Sequence, residues 1–108
     1  MPDIIVYYKS DKPAEGPDIL KAYGVFRKRG LPTDKDSLKV EAKDDHESKL
    51  RKIVYSFPFE LHLPMDSDLE KMSEEIIDKC SDINIKKILC IGQGNRQYEM
   101  TVKNKENE

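Results

Sequence analysis

The feature that most constrains this chain is the order in which the spacing of its apolar residues changes. In five stretches the apolar side chains alternate with polar ones or form a short β-branched run, as in strands. In two stretches they recur three or four positions apart, as in helices. The resulting order is strand, helix, strand, strand, helix, strand, strand, so the sequence predicts a mixed α+β fold.

The first strand and the first helix have clear local signals. Residues 4–8 are β-branched or aromatic, and polar turn residues follow them. Pro17 and Asp18 are typical of a helix start, whereas the cations at 27–29, followed by Gly30, are typical of a helix end. The helical spacing predicts a buried stripe made of Ile19, Leu20, Tyr23 and Phe26.

Two further strands are predicted in the middle of the chain. Apolar and polar residues alternate over residues 38–43 and again over 55–63. The short polar connection at 44–48 favours antiparallel neighbours. Because Pro58 has no N–H, we expect the third strand to lie at an edge or to carry a bulge there.

The second half of the chain predicts a helix and a hairpin. Ser67 and Glu70 have the spacing of a capping box, so we expect the second helix to begin there. A strand ending at Ile91, a glycine-containing turn at 92–96 and a last alternating strand follow. The apolar face predicted for the helix comprises Leu69, Met72, Ile76, Cys80 and Ile83.

This element order is that of the ferredoxin-like fold, β-α-β-β-α-β, with an extra C-terminal strand. Each strand has one apolar side, so we expect two helices on one face of an antiparallel sheet and an open opposite face. A small α+β roll with a different pairing of the first strand is the alternative. We predict a single domain over residues 1–103 and a frayed polar tail over 104–108.

Charge and composition exclude several functional classes. The 108 residues contain 19 Lys and Arg against 21 Asp and Glu, a formal net charge of −2, which does not favour nonspecific coating of nucleic acid. No stretch approaches the about 20 apolar residues of a membrane span, and residues 1–3 do not begin a secretory signal. With only two cysteines, we expect reduced thiols and a cytoplasmic or nuclear protein without membrane contact.

The residues that commonly carry chemistry do not form a recognisable constellation. The soft metal ligands have neither CxxC nor HxxxH spacing, so we expect no metal site and no cofactor. No Ser or Cys lies beside a His as nucleophilic catalysis requires. We therefore predict that the chain is not an enzyme and has no catalytic residues. The ligand types considered are His46, His62, Cys80 and Cys90.

The leading hypothesis is a small non-catalytic subunit that binds another protein, or a second copy as a homodimer. The predicted open sheet face or an edge strand would supply the contact, because that face carries more apolar area than a solvated sheet needs. The partner-binding residues predicted for the open face are Ile5, Tyr7, Val54, Pro58, Ile88 and Cys90.

RNA or single-stranded nucleic-acid binding is the alternative. Residues 52–59 resemble the aromatic strand of RNA-recognition motifs, which implies base stacking, although they lack its glycines. The cations of the first helix could contact phosphate, but the second helix is acidic, so the two helices could also pair their charges. The nucleic-acid-binding residues of this alternative are Lys21, Arg27, Lys28, Arg29 and Arg96.

Overall fold

The computed structural model describes residues 2–102; the predicted tail at 104–108 lies outside the described residues. The described part contains two α-helices and five β-strands in the predicted order. Their bounds are β1 Asp3–Lys9, α1 Gly16–Lys28, β2 Lys39–Asp45, β3 Leu50–Ser56, α2 Asp66–Lys79, β4 Asn84–Ile91 and β5 Gln97–Thr101.

The five strands form one antiparallel sheet in the order β2-β3-β1-β4-β5. β1 lies at the centre, and its two neighbours, β3 and β4, come from distant parts of the sequence. β2 and β5 form the two edges. This architecture confirms the predicted α+β class and is consistent with a ferredoxin-like fold.

The core lies between the sheet and the two helices. Even-numbered residues of β1 point toward the helices, and Tyr55 and Ile88 on the flanking strands do the same. Phe26 of α1 meets the rings of Tyr55 and Phe57 edge to face, with ring centres 4.9 and 5.3 Å apart. Burial of these large side chains is the main favourable contribution to folding.

The predicted end of α1, after the cations at 27–29 and before Gly30, is confirmed. Arg27 and Lys28 occupy the last turn, and Gly30 adopts φ +78°. The N–H of Leu31 donates to the carbonyl of Phe26, the long bond of a Schellman motif. The predicted stripe is wrong at Leu20, which is 58% exposed, because the helix buries Ala22, Val25 and Phe26 instead.

Three predicted boundaries are wrong, and one is the end of α2, which stops at Lys79, so Ile83 lies outside the helix. β3 covers Leu50–Ser56 and ends before Pro58, whereas the alternation predicted a strand that continued to residue 63. α2 begins at Asp66 with Met65 as its N-cap, so Ser67 lies inside the helix and does not cap it. Phe57 and Leu63 are still buried, as core residues of a loop. Within residues 2–102, no helix is long and apolar enough to span a membrane.

Candidate docking surface on the open sheet face

The side of the sheet opposite the helices carries a row of apolar side chains across its three central strands. Successive residues of a strand point to opposite faces, and paired residues on neighbouring strands share a face. Ile5 at the centre pairs with Val54 of β3 and with Leu89 of β4. These three side chains, with Ile91 two residues beyond Leu89, form a surface that we call the apolar band.

The apolar band leads to a hollow at one end of the sheet. The hollow has a volume of about 410 Å³. Phe59 is 71% exposed, more than any other aromatic side chain among residues 2–102. Gln93 fixes the adjacent loop by donating to the carbonyl of Phe59 at 2.8 Å. The hollow is lined by Pro2, Phe59, Ile91, Gly92, Gln93 and Gly94.

The Tyr7 ring lies beside the apolar band and is surrounded by lysines. Tyr7 pairs with Lys52 on one side and with Lys87 on the other. The ammonium groups of Lys52 and Lys87 lie 5.9 and 4.4 Å from the ring centre, within cation–π range. Burial, followed by the charges of Asp45 and Glu99, raises the pKa of Tyr7, so its hydroxyl stays protonated at neutral pH.

Acidic groups balance much of this positive charge. Asp45 lies 3.9 Å from Lys52, and Glu41 lies 3.4 Å from Lys43 on the same strand. The hydroxyl of Ser48 and, less strongly, Lys52 lower the pKa of Asp45, which keeps its carboxylate charged. The open face is therefore an apolar band bordered by charges of both signs, a combination typical of protein interfaces.

Three of the six predicted partner-binding residues lie on the open face: Ile5, Tyr7 and Val54. The placement of Ile88 and Cys90 is wrong, since both belong to the core under the helices. A register shift where Tyr7 and Tyr8 pair with β4 puts Ile85 and Ile88 on the same face, although they are three residues apart. Pro58 lies in the loop after β3, not on a strand.

Leu89, Ile91 and Phe59 belong to this surface but are not among the partner-binding residues predicted from the sequence. β4 is a central strand with apolar side chains on both faces, so alternation alone does not tell which side meets the helices. Leu89 and Ile91 were visible only as members of that apolar run. The alternation over residues 55–63 predicts a strand through the exposed Phe59, whereas β3 ends three residues before it.

The predicted basic corner of α1 is largely paired with α2. Glu75 accepts from Lys28 at 3.1 Å and from Arg29 at 2.7 Å, and these contacts lower the pKa of Glu75. Lys21 pairs with Asp82 in the turn after α2, and the hydrogen bond to Asp82 raises the pKa of Lys21. These contacts match the charge pairing between helices that the sequence offered as the alternative to phosphate binding.

Arg27 and Arg96, the other two cations predicted to bind nucleic acid, also have partners within the chain. Arg27 donates to the hydroxyl of Thr33 at 3.1 Å. Arg96 lies in the β4–β5 turn region, where it donates to the carbonyls of Leu63 and Pro64 and to the Asp66 carboxylate. Arg96 therefore fastens the start of α2 to the hairpin and does not join the α1 cations.

Neither thiol is placed for surface chemistry. Cys80 and Cys90 are free and buried, and burial raises the pKa of Cys90 to about 12. Across residues 2–102, no group of three or more His, Cys, Asp or Glu side chains is arranged to hold a metal ion. Comparison of the chain with protein-family models, curated proteins and solved structures finds no match.

Proposed function

We propose that this chain is a small non-catalytic interaction subunit that docks another protein on its open sheet face. The observation that carries the proposal is the apolar band, Val54, Ile5, Leu89 and Ile91, which crosses the sheet opposite the helices. Ile5 is 8% exposed and the other three side chains are half-buried, so the band is a partly accessible apolar row that a partner would cover further. Phe59 beside the band offers an exposed aromatic anchor.

The partner we infer has an apolar patch bordered by groups of both charges. Because the band crosses three strands, it favours a partner that presents a helix or a sheet surface. Lysines on the Tyr7 side and Glu41 and Glu99 at the two edges would orient that partner. Most of the binding free energy would come from the band and Phe59, because rim charges contribute little.

Affinity capture with a matched pair of variants tests the proposal. Leu89 lies in the band, whereas Leu20 is an exposed leucine on α1, on the helical side of the sheet. We expect the wild type and L20K to retain the same protein from native extract and L89K to lose it. Equal retention by all three, or no specific protein on the wild type, would overturn the proposal, once circular dichroism has shown that each variant folds.

Single-stranded nucleic-acid binding is the second candidate, and the lysines beside Tyr7 favour it. The Tyr7 ring is 8% exposed beside the Lys52 and Lys87 ammonium groups, so a base would stack on it only if these lysines moved aside to contact phosphate. Fluorescence anisotropy with a labelled oligonucleotide at low and high salt tests this candidate. Salt-sensitive binding that K52Q/K87Q removes and R27Q/K28Q/R29Q leaves intact would support it; no binding at low salt would exclude it.

The same proposal includes the finer assignment of the fold. We assign the ferredoxin-like arrangement to strands β1 to β4 and the two helices, with β5 added beside β4. The sheet order β2-β3-β1-β4 and the antiparallel pairing of β1 with both neighbours support it. In this arrangement the face opposite the helices is the one left for a partner.

A further inference from the structure

The edge strand β2 carries alternating charges on its open-face side. Lys39, Glu41, Lys43 and Asp45 point to that face, so the charge along the strand runs plus, minus, plus, minus. β2 pairs with β3 on one side only, and its other side is a sheet edge. Five of its seven residues are exposed, including Ala42 on the helical side. Nothing within residues 2–102 pairs with this edge.

We propose that β2 pairs with β2 of a second copy of this chain, antiparallel and centred on Ala42. In this register Lys39 of one copy lies opposite Asp45 of the other, and Glu41 lies opposite Lys43. The two-fold axis repeats both pairs, so all four open-face positions of each strand meet an opposite charge. Ala42 meets its own copy, and its small side chain leaves room for close approach.

The charge pattern also selects this register over its neighbours. The open faces of the two copies lie on the same side only if the residue on the two-fold axis lies opposite its own copy. The next possible registers are therefore centred one residue away, on Glu41 or on Lys43. Centring on Glu41 would place Glu41 against its own copy and Lys39 against Lys43. Centring on Lys43 would place Lys43 against its own copy and Glu41 against Asp45. Like charges would meet throughout in both cases.

The other sheet edge does not have this property. Pairing β5 with itself over its full length would centre on Glu99 and bring two carboxylates together. The Lys43–Glu41 pair is a surface contact with side chains 47% and 64% exposed, whereas Asp45 is half-buried and keeps its contacts with Ser48 and Lys52. Such surface pairs contribute little, so they can exchange for contacts across the edge at small cost.

The pairing would join two five-stranded sheets into one continuous sheet with all helices on one side. The apolar bands of the two copies would then face the same direction. This inference deepens the proposed role as an interaction subunit by naming a second copy as the partner of the β2 edge. It does not need the open face, so the two proposals can fail separately.

Sedimentation of the full chain over a concentration series, at low and high salt, tests the pairing. We expect the mass to rise from 12.5 kDa toward twice that value, and less so in high salt. K39E/K43E and E41K/D45K should each weaken self-association by at least about tenfold. Mixed together, they should form a heterodimer, because every open-face pair is again opposite in charge. E99K at the β5 edge is the control and should dimerise like the wild type.

Disulfide trapping gives an independent reading of the register. In the proposed pairing A42C meets its own copy at a distance that a disulfide can bridge, whereas V40C lies opposite Asp44 and is separated from its copy. We expect oxidation to cross-link A42C and not V40C. A chain that stays monomeric, a dimer insensitive to K39E/K43E, or equal trapping of A42C and V40C would overturn the inference. If L89K still captured the partner protein, only the proposal for the open face would fail, and the β2–β2 pairing would be unaffected.

Discussion

At the scale of single residues, the face of a strand that a side chain occupies decides its chemistry. Cys90 and Leu89 are neighbours in β4, yet Cys90 is 1% exposed in the core and Leu89 belongs to the apolar band. Burial raises the pKa of Cys90 to about 12, so its thiol stays neutral at physiological pH. A neutral buried thiol is a poor nucleophile and a poor metal ligand.

We predict that the native thiols react very slowly with an aqueous thiol reagent. Cys80 and Cys90 are both buried, and the pKa of each is raised by burial. L89C, one position away from Cys90, should react much faster than either native thiol because it faces the open side and is half-buried, not buried. Absorbance of the released chromophore gives both rates. Rapid modification of Cys90 in the folded wild type would contradict the orientation of β4.

This orientation is the part of the site that sequence reasoning could not supply. Val54 could be placed because it is out of phase with the alternating residues Tyr55 and Phe57, whereas β1 is apolar at every position from Ile4 to Tyr8 and its pattern does not tell the two faces apart. In β4 the residues Ile88 to Ile91 are all apolar, and the register shift opposite Tyr7 changes the phase. A bulge depends on the partner strand, so it leaves no signal within β4 itself.

At the scale of elements, nearby residues were enough to predict the end of a helix where that end is closed by local backbone hydrogen bonds. Gly30 and the cations before it predicted the end of α1, and the structure has a Schellman motif there. The start of α2 could not be predicted in this way. Arg96, thirty residues later, holds the carbonyls of Leu63 and Pro64 and so takes part in setting where α2 begins.

Replacing Gly24 of α1 and Gly30 at its C-terminal end by alanine should change the free energy of unfolding in opposite directions. Gly30 has φ +78°, so G30A should destabilise the fold by about 1 kcal/mol even though its new methyl group meets no atom. Gly24 lies within α1 and is exposed, so G24A should stabilise it by about 0.5–1 kcal/mol. Urea unfolding measures both changes. Shifts of the same sign would contradict the helix bounds given for α1.

The ion pairs between the helices predict a pH-dependent contribution to stability. Hydrogen bonds from Arg29 and, less strongly, Lys28 lower the pKa of Glu75, so the folded state binds its proton less tightly than the unfolded state does. The stabilisation is therefore present above the ordinary carboxyl pKa and is lost as the pH falls through the lowered pKa.

We expect E75Q to lower the Tm at neutral pH and to match the wild type in acid. E74Q is the control, since Glu74 is exposed and has no ion pair among residues 2–102. Thermal unfolding followed by circular dichroism across pH gives the comparison. A deficit of E75Q that persists unchanged in acid would show that the loss does not come from charge.

At the scale of the whole molecule, the two faces of the sheet differ in whether other elements cover them. On the helical side, opposite charges of α1 and α2 meet and the apolar residues are largely covered. On the other side, the apolar band and Phe59 lie without a covering element within residues 2–102. The element order was enough to predict an open face, but its full extent depends on which strands become neighbours.

The most direct test of the open face as a docking surface is calorimetric titration of the captured partner protein into the wild type, L89K and L20K. We predict at least about tenfold weaker binding to L89K, equal to ~1.4 kcal/mol, and unchanged binding to L20K. The wild-type reaction should have a negative heat-capacity change, because apolar surface is buried. Equal affinity of the wild type and L89K for that partner would contradict the account.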